Sequence, residues 1–386
     1  MAAIMNESGH RRLFAWPRLL RWLGFVLSIV SGLGSSSTLR GDDIVVDVQA
    51  IVESVGSRSI EADKVVGLSV GVAKGDSIIC VREFGLANVE HHVAVKGETV
   101  FRIGSITKEF TATAILLLVE EGKVELDDPL SKFLPEYPLP ASNVTIRQLL
   151  QHTSGIKDFT RLPTYRRDRQ VDASAAEVLG RFKELPLEFE PGEKHRYCNS
   201  GYFLLGLVVE KASGESYREF VEKRLFKVAG LKHTYCDDHA GIIPNRASGY
   251  SRWGGKLRNA THVSLKQSVG AGNMTSTARD LLAWQQALIG HRLLSKESFA
   301  LMTTKGKLAN GKSFGYGMGV FVRRMGMHEV VRHGGGISGF RSDLAWYPDS
   351  NYIIAVLANS DNAKAPQISD RIARRLLPNK TNDKTD

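Results

Sequence analysis

Ser105 and Lys108 stand three residues apart at the start of the run Ser105 to Glu121. The apolar spacing of Phe110, Ala114, Ile115, Leu118 and Val119 predicts a helix there, ended by Gly122. Side chains at i and i+3 on a helix share a face. A serine hydroxyl is a poor nucleophile until a neighbouring base takes its proton. A lysine amine becomes that base when burial lowers its pKa. A helix start also offers backbone N–H groups to a developing oxyanion. The pair therefore points to acyl transfer through a covalent serine intermediate. The plainer reading makes Ser105 an N-cap and leaves Lys108 in solvent. The same spacing recurs at Ser154 and Lys157, but Gly155 follows that serine and no long helix begins there.

Two further elements carry chemistry. Tyr197-Cys198-Asn199 is the one Tyr-x-Asn in the chain. A phenol acts as general acid or base where a nearby cation lowers its pKa. An Asn amide can hold a lysine and a substrate carbonyl at once. The alternative is a core tyrosine whose hydroxyl meets the surface. His333-Gly334-Gly335-Gly336 follows a strand candidate. Glycines let another backbone approach a strand edge, and an edge N–H can complete an oxyanion hole. The alternative is a glycine-rich turn with a surface histidine.

The elements that must position these residues are β-rich at both ends of the chain and helical between. Val45 to Val55 has helical period, while Val65 to Ala73 and Ser77 to Phe84 read as a hairpin around Lys74-Gly75-Asp76. Thr99 to Ile103 is a short extended run leading into Gly104-Ser105. Residues 145–151 form a short helix opened by Thr145, 174–235 is mostly helical but broken at Pro186 and Pro191-Gly192, and 277–290 is a further helix. Val330 to Arg332, Ser342 to Tyr347 and Tyr352 to Ala358 read as strands, and Ala365 to Leu377 as a closing amphipathic helix. The expected fold is α+β: an antiparallel sheet flanked by helices, with a mainly helical region inserted. The sheet part takes residues 42–125 and 312–386, and the helical part 126–311.

The chain has 386 residues and a formal net charge of +10, with its basic residues spread among acids, which argues for a solvated positive surface and against nucleic-acid binding. Residues 1–37 read as a signal peptide or membrane anchor. Arg11, Arg12, Arg18 and Arg21 precede the apolar run Trp22 to Gly34. That run is shorter than the roughly 20 residues a spanning helix needs, and the membrane is expected to matter only through this segment. The implied location is periplasmic or extracellular. Cys80, Cys198 and Cys236 fit neither a disulfide framework nor a zinc motif, and buried free thiols are expected. His328-Glu329 to His333 has the wrong spacing for a zinc hydrolase, so no metal and no cofactor are expected.

Taken together, these motifs resemble the serine β-lactamase, penicillin-binding DD-peptidase and esterase superfamily, with class C β-lactamase-like hydrolases the nearest likeness. The resemblance also rests on Phe101 to Lys108, Leu149 to Gly155, Pro191-Gly192-Glu193, Asn199 to Tyr202, Ser276 to Leu281 and His333 to Phe340. It implies a β-lactamase/transpeptidase-like fold and roles at matching positions. Ser105 would be acylated, Lys108 and Tyr197 would share proton transfer, and Asn199 would position substrate. Gly334, Gly335 and Gly336 would form the substrate-binding strand, with the Ser105 and Gly336 amides as oxyanion hole. His333, expected to bind substrate, stands where many relatives have a lysine. A mostly neutral histidine there favours ester or peptide substrates over efficient β-lactam turnover. The implied substrate is a small molecule or peptide, peptidoglycan fragments included. The competing reading is a non-catalytic or acylation-only penicillin-binding sensor.

Overall fold

The computed structural model describes residues 41–138 and 141–377. The segment read as a leader lies outside the described residues. Helix α1 (Gly41–Glu61) leads into β1 (Gly67–Lys74) and β2 (Ser77–Asn88), joined by a turn in which Gly75 has φ +55°. A short β3 (Val93–Ala94) follows. The chain then builds helix α2 (Thr107–Glu120), a short α3 (Ile146–Leu150), α4 (Asn199–Ser213) and α5 (Ala278–Ile289). It returns to strands at β4 (Phe321–Met325), β5 (His328–Ile337), β6 (Phe340–Tyr347) and β7 (Tyr352–Ala358), and ends in α6 (Ala365–Leu376).

These seven strands form one antiparallel sheet in the order β4-β5-β6-β7-β1-β2-β3. The last strand of the chain thus pairs with the first, which makes the sheet a joint product of both ends. Every residue of β7 is buried, because helices cover both faces. On one face α1 and α6 pack Val52, Val55, Ile368 and Ile372 against Val70, Val72 and Ile354. On the other, Leu282 of α5 packs so closely that a Cβ on Gly71 would lie 2.8 Å from it.

Helix α2 lies inside the second core and is buried on all sides from Thr107 to Leu116. The apolar stripe read from the sequence is too narrow for this helix, because neighbours surround it. It also starts later than expected. Ser105 lies in a 3₁₀ turn, Gly104–Ile106, and makes no capping bond. Thr145 does open α3, with a full capping box to Gln148.

Strand β5 is longer than its apolar core suggests and contains all four residues of His333-Gly334-Gly335-Gly336. Its pairing with β4 stops at Arg332, so from His333 onward that edge has no strand partner among the described residues. The edge faces the turn carrying Ser105 instead. A Cβ on Gly335 would sit 1.9 Å from Ile103 O, so only glycine permits this approach. Ser342 Oγ of β6 donates to the same Ile103 carbonyl at 2.7 Å and fastens the turn to the sheet.

Candidate active site

Ser105 opens onto a cleft of about 280 Å³ between the sheet edge and the helical region. Gly104, Tyr197, Asn199, Ala271 and Gly336 are among its lining residues, together with Phe159, Thr160, Tyr165 and Arg169. Gly104 has φ +51°, and a Cβ there would lie 2.9 Å from the Gly336 amide nitrogen. The backbone beside Ser105 and the Gly336 N–H are thereby brought together.

Lys108 is fully buried one turn into the site. Its Nζ lies 3.2 Å from Ser105 Oγ, 2.9 Å from Asn199 Oδ1 and 2.7 Å from Ala271 O. Burial lowers its pKa to about 7, against the opposing pull of Asp158 and Cys198. A neutral amine has two protons and one lone pair. Donating to Asn199 Oδ1 and Ala271 O leaves the lone pair for the Ser105 hydroxyl proton, which is the geometry of a general base. Glu109, the next residue, adds no fixed charge here. Burial pushes its carboxyl up to about 8, with Trp284 Nε1–H donating to it at 3.3 Å.

Asn199 is the first residue of α4, and the extended Cys198 turns the chain into that helix. Its Oδ1 holds Lys108, while its Nδ2 donates to Asp158 Oδ2 at 3.1 Å and Thr160 Oγ1 at 3.0 Å. Both amide protons are therefore engaged with protein, and Asn199 acts on the lysine first. Tyr197 is packed with its ring 4.9 Å below Lys108 Nζ. Its Oη is buried with no hydrogen-bond partner. Burial pushes the phenol well above its ordinary range, and the Ser105 hydroxyl beside it offsets part of that. The phenol is therefore protonated at rest. The expected cation-lowered phenol is not found, because loss of solvent dominates at Tyr197.

The glycine strand divides its residues. Gly336 alone of the four lines the cleft. Gly335 faces Ile103 and Ser342, and Gly334 faces Pro366 and Asp343 on the other side of the strand. His333 is buried behind Tyr197, with ring centroids 6.0 Å apart. Its Nδ1 donates to Gly334 O at 2.7 Å, so its Nε2 accepts from Tyr316 Oη at 3.3 Å. Burial, with Lys108 nearby, lowers its pKa to about 3. The imidazole is neutral and out of reach of the cleft, where a substrate-binding side chain was expected. The second Ser-x-x-Lys is not brought into the site: Ser154 is buried in a turn, bonded by Ile156 N–H. The three cysteines are buried and free.

Asp158, Thr160 and the Ala271 carbonyl complete the lysine's surroundings, and sequence reading missed all three. Asp158 follows the Thr153-Ser154-Gly155 turn closely and carried no other signal. A backbone carbonyl 163 positions from its lysine carries none.

A model of the Beta-lactamase family matches residues 49–378. The chain belongs to the beta-lactamase family. Penicillin-binding protein 4* of Bacillus subtilis (strain 168) is 30% identical over 310 residues, which cover 76% of this chain and 68% of the relative. Among solved structures, the D-amino acid amidase of Ochrobactrum anthropi SV3 aligns with a TM-score of 0.75 at 27% identity, covering 86% of this chain and 98% of that one. The octameric penicillin-binding protein homologue of Pyrococcus abyssi aligns at 0.73 and 28% identity, over 83% and 76%. A D-stereospecific amidohydrolase from Streptomyces sp. aligns at 0.73 and 28%, over 84% and 97%. The expected fold and the resemblance to the β-lactamase and penicillin-binding superfamily both hold.

Proposed function

We propose that this chain is a serine hydrolase that forms an acyl-enzyme on Ser105 from an amide or ester. The observation that carries the reading is the buried Lys108 amine, held by Asn199 Oδ1 and Ala271 O with Ser105 Oγ as its third contact. In the reaction, Ser105 Oγ bonds to the substrate carbonyl carbon and its proton passes to Lys108. The oxyanion is met by the backbone N–H groups of Ser105 and Gly336. The leaving group departs with a proton delivered through Tyr197, which Lys108 replenishes. Water then attacks the acyl-enzyme, releases the acid and restores Ser105.

The substrate reading is a small molecule or peptide with an amide or ester bond, D-amino acid amides and peptidoglycan fragments included. Two structural neighbours are named D-amino acid amidase and D-stereospecific amidohydrolase, which supports this class. A neutral, buried His333 provides no fixed charge for a substrate carboxylate, which weighs against efficient β-lactam turnover. The relatives named penicillin-binding proteins favour a second reading, acylation by penicillin without turnover. The arginine-rich, apolar leader read from the sequence goes with an exported protein.

The test is hydrolysis of p-nitrophenyl acetate, D- and L-phenylalanine amide and a chromogenic cephalosporin by the wild type and Ser105→Ala. Wild-type turnover is expected on the ester and the D-amide, and Ser105→Ala lowers kcat/KM by about 10³-fold or more while staying folded. Undiminished activity in Ser105→Ala would overturn the assignment. A persistent cephalosporin adduct with no turnover of any substrate would favour the second reading.

A further inference from the structure

His152 does not line the cleft and takes no part in the proposed reaction, yet three contacts tie it to Tyr197. Its carbonyl accepts the Arg196 N–H at 2.9 Å, and its Nδ1 accepts the Cys198 N–H at 3.1 Å. One residue thus holds the chain on both sides of Tyr197. Its ring backs the Tyr197 ring at a centroid distance of 4.3 Å, with Tyr316 at 4.7 Å and Tyr202 at 5.0 Å. Accepting at Nδ1 places the single proton on Nε2. That N–H is buried without a partner. The backbone of His152 has φ +57°, a region that residues other than glycine seldom occupy. Burial first, and the charge of Lys108 second, hold the imidazole far below its ordinary range, so the ring adds no cation beside the lysine. Strained backbone and an orphaned buried donor persist where surrounding structure enforces them, and such strain collects at functional sites.

We propose that His152 is the positioning residue for Tyr197. It clamps the peptide on either side of the tyrosine and packs behind its ring. The phenol then stays beside Ser105 while the leaving group takes its proton. The proposal rests on the reading of Tyr197 as proton donor.

The leaving group supplies the readout. p-Nitrophenolate departs with little help, whereas phenolate leaves better with a proton. Phenyl acetate and p-nitrophenyl acetate give the same acetyl-enzyme, so kcat/KM compares acylation alone. His152→Ala is expected to lower kcat/KM roughly 100-fold on phenyl acetate and tenfold or less on p-nitrophenyl acetate. His152→Asn tolerates the left-handed backbone and keeps an oxygen for the Cys198 N–H, and it restores most of the phenyl acetate rate. Equal losses on both esters in His152→Ala would overturn the proposal, and so, should the alanine variant not fold, would an equal loss of roughly tenfold or more on both esters in His152→Asn. Tyr197→Phe separates the two levels. Selective loss there beside equal losses in His152→Ala rejects the role of His152 alone. Equal losses there reject Tyr197 as donor, and the proposal with it.

Discussion

Burial brings the Lys108 amine to a pKa of about 7, so the proposed base is near half-protonated in neutral solution. Only the neutral amine takes the Ser105 proton. Activity should therefore fall as pH drops through about 7, and kcat/KM plotted against pH checks this limb. Asp158 holds that value up, since its carboxylate stabilises the ammonium. Asp158→Asn is expected to move the limb to lower pH, and a limb moving to higher pH would remove Asp158 from the electrostatics of the site. At this scale the sequence singled out Ser105, Lys108, Tyr197 and Asn199, which the fold brings together, because each has a side chain whose chemistry announces itself. His333 misled, since its type is that of a ligand-binding group while its place is a buried neutral one. Asp158, Thr160 and Ala271 were silent because their roles depend on contacts that only the folded chain makes.

Strand β5 must come close to the Ser105 turn for the two oxyanion N–H groups to converge. Gly335 is the contact that allows it. Gly335→Ala would place a Cβ 1.9 Å from Ile103 O and 2.2 Å from Ser342 Oγ, whereas a Cβ on Gly336 would meet its nearest atom, on Arg341, at 3.6 Å. Thermal unfolding should show Gly335→Ala destabilised by about 1–3 kcal/mol, as overpacking usually costs, with Gly336→Ala much less affected. Equal effects would mean that the strand and turn can separate without cost. The sequence marked the glycines but left open whether they made a turn or a strand edge. The register of β5 with β6, which decides it, is set by a partner strand and by a turn more than two hundred residues away. Helix α2 was likewise legible as a helix, but its full burial was not, because its neighbours come from the whole length of the chain.

The molecule as a whole depends on strands from both ends of the described residues meeting in one sheet, with α6 sealed against it by charge as well as apolar packing. Arg332 donates to Asp343 on β6 and to Asp370 on α6, both at 2.6 Å. Asp343 is fully buried, and burial raises its carboxyl pKa despite the arginine. Arg332→Met leaves that carboxylate without its partner, and denaturant unfolding at neutral pH is expected to show a loss of about 3–5 kcal/mol. The overall architecture was the most legible level, since strand-rich ends around a helical middle leave few antiparallel solutions.

The proposed chemistry turns on Ser105 as the nucleophile, and covalent labelling tests this most directly. The folded protein is exposed to a fluorophosphonate, weighed intact and mapped by peptide. A single adduct on Ser105, lost in Ser105→Ala, is the predicted result. Labelling at Ser154 or another residue, or none on folded protein, would contradict the account.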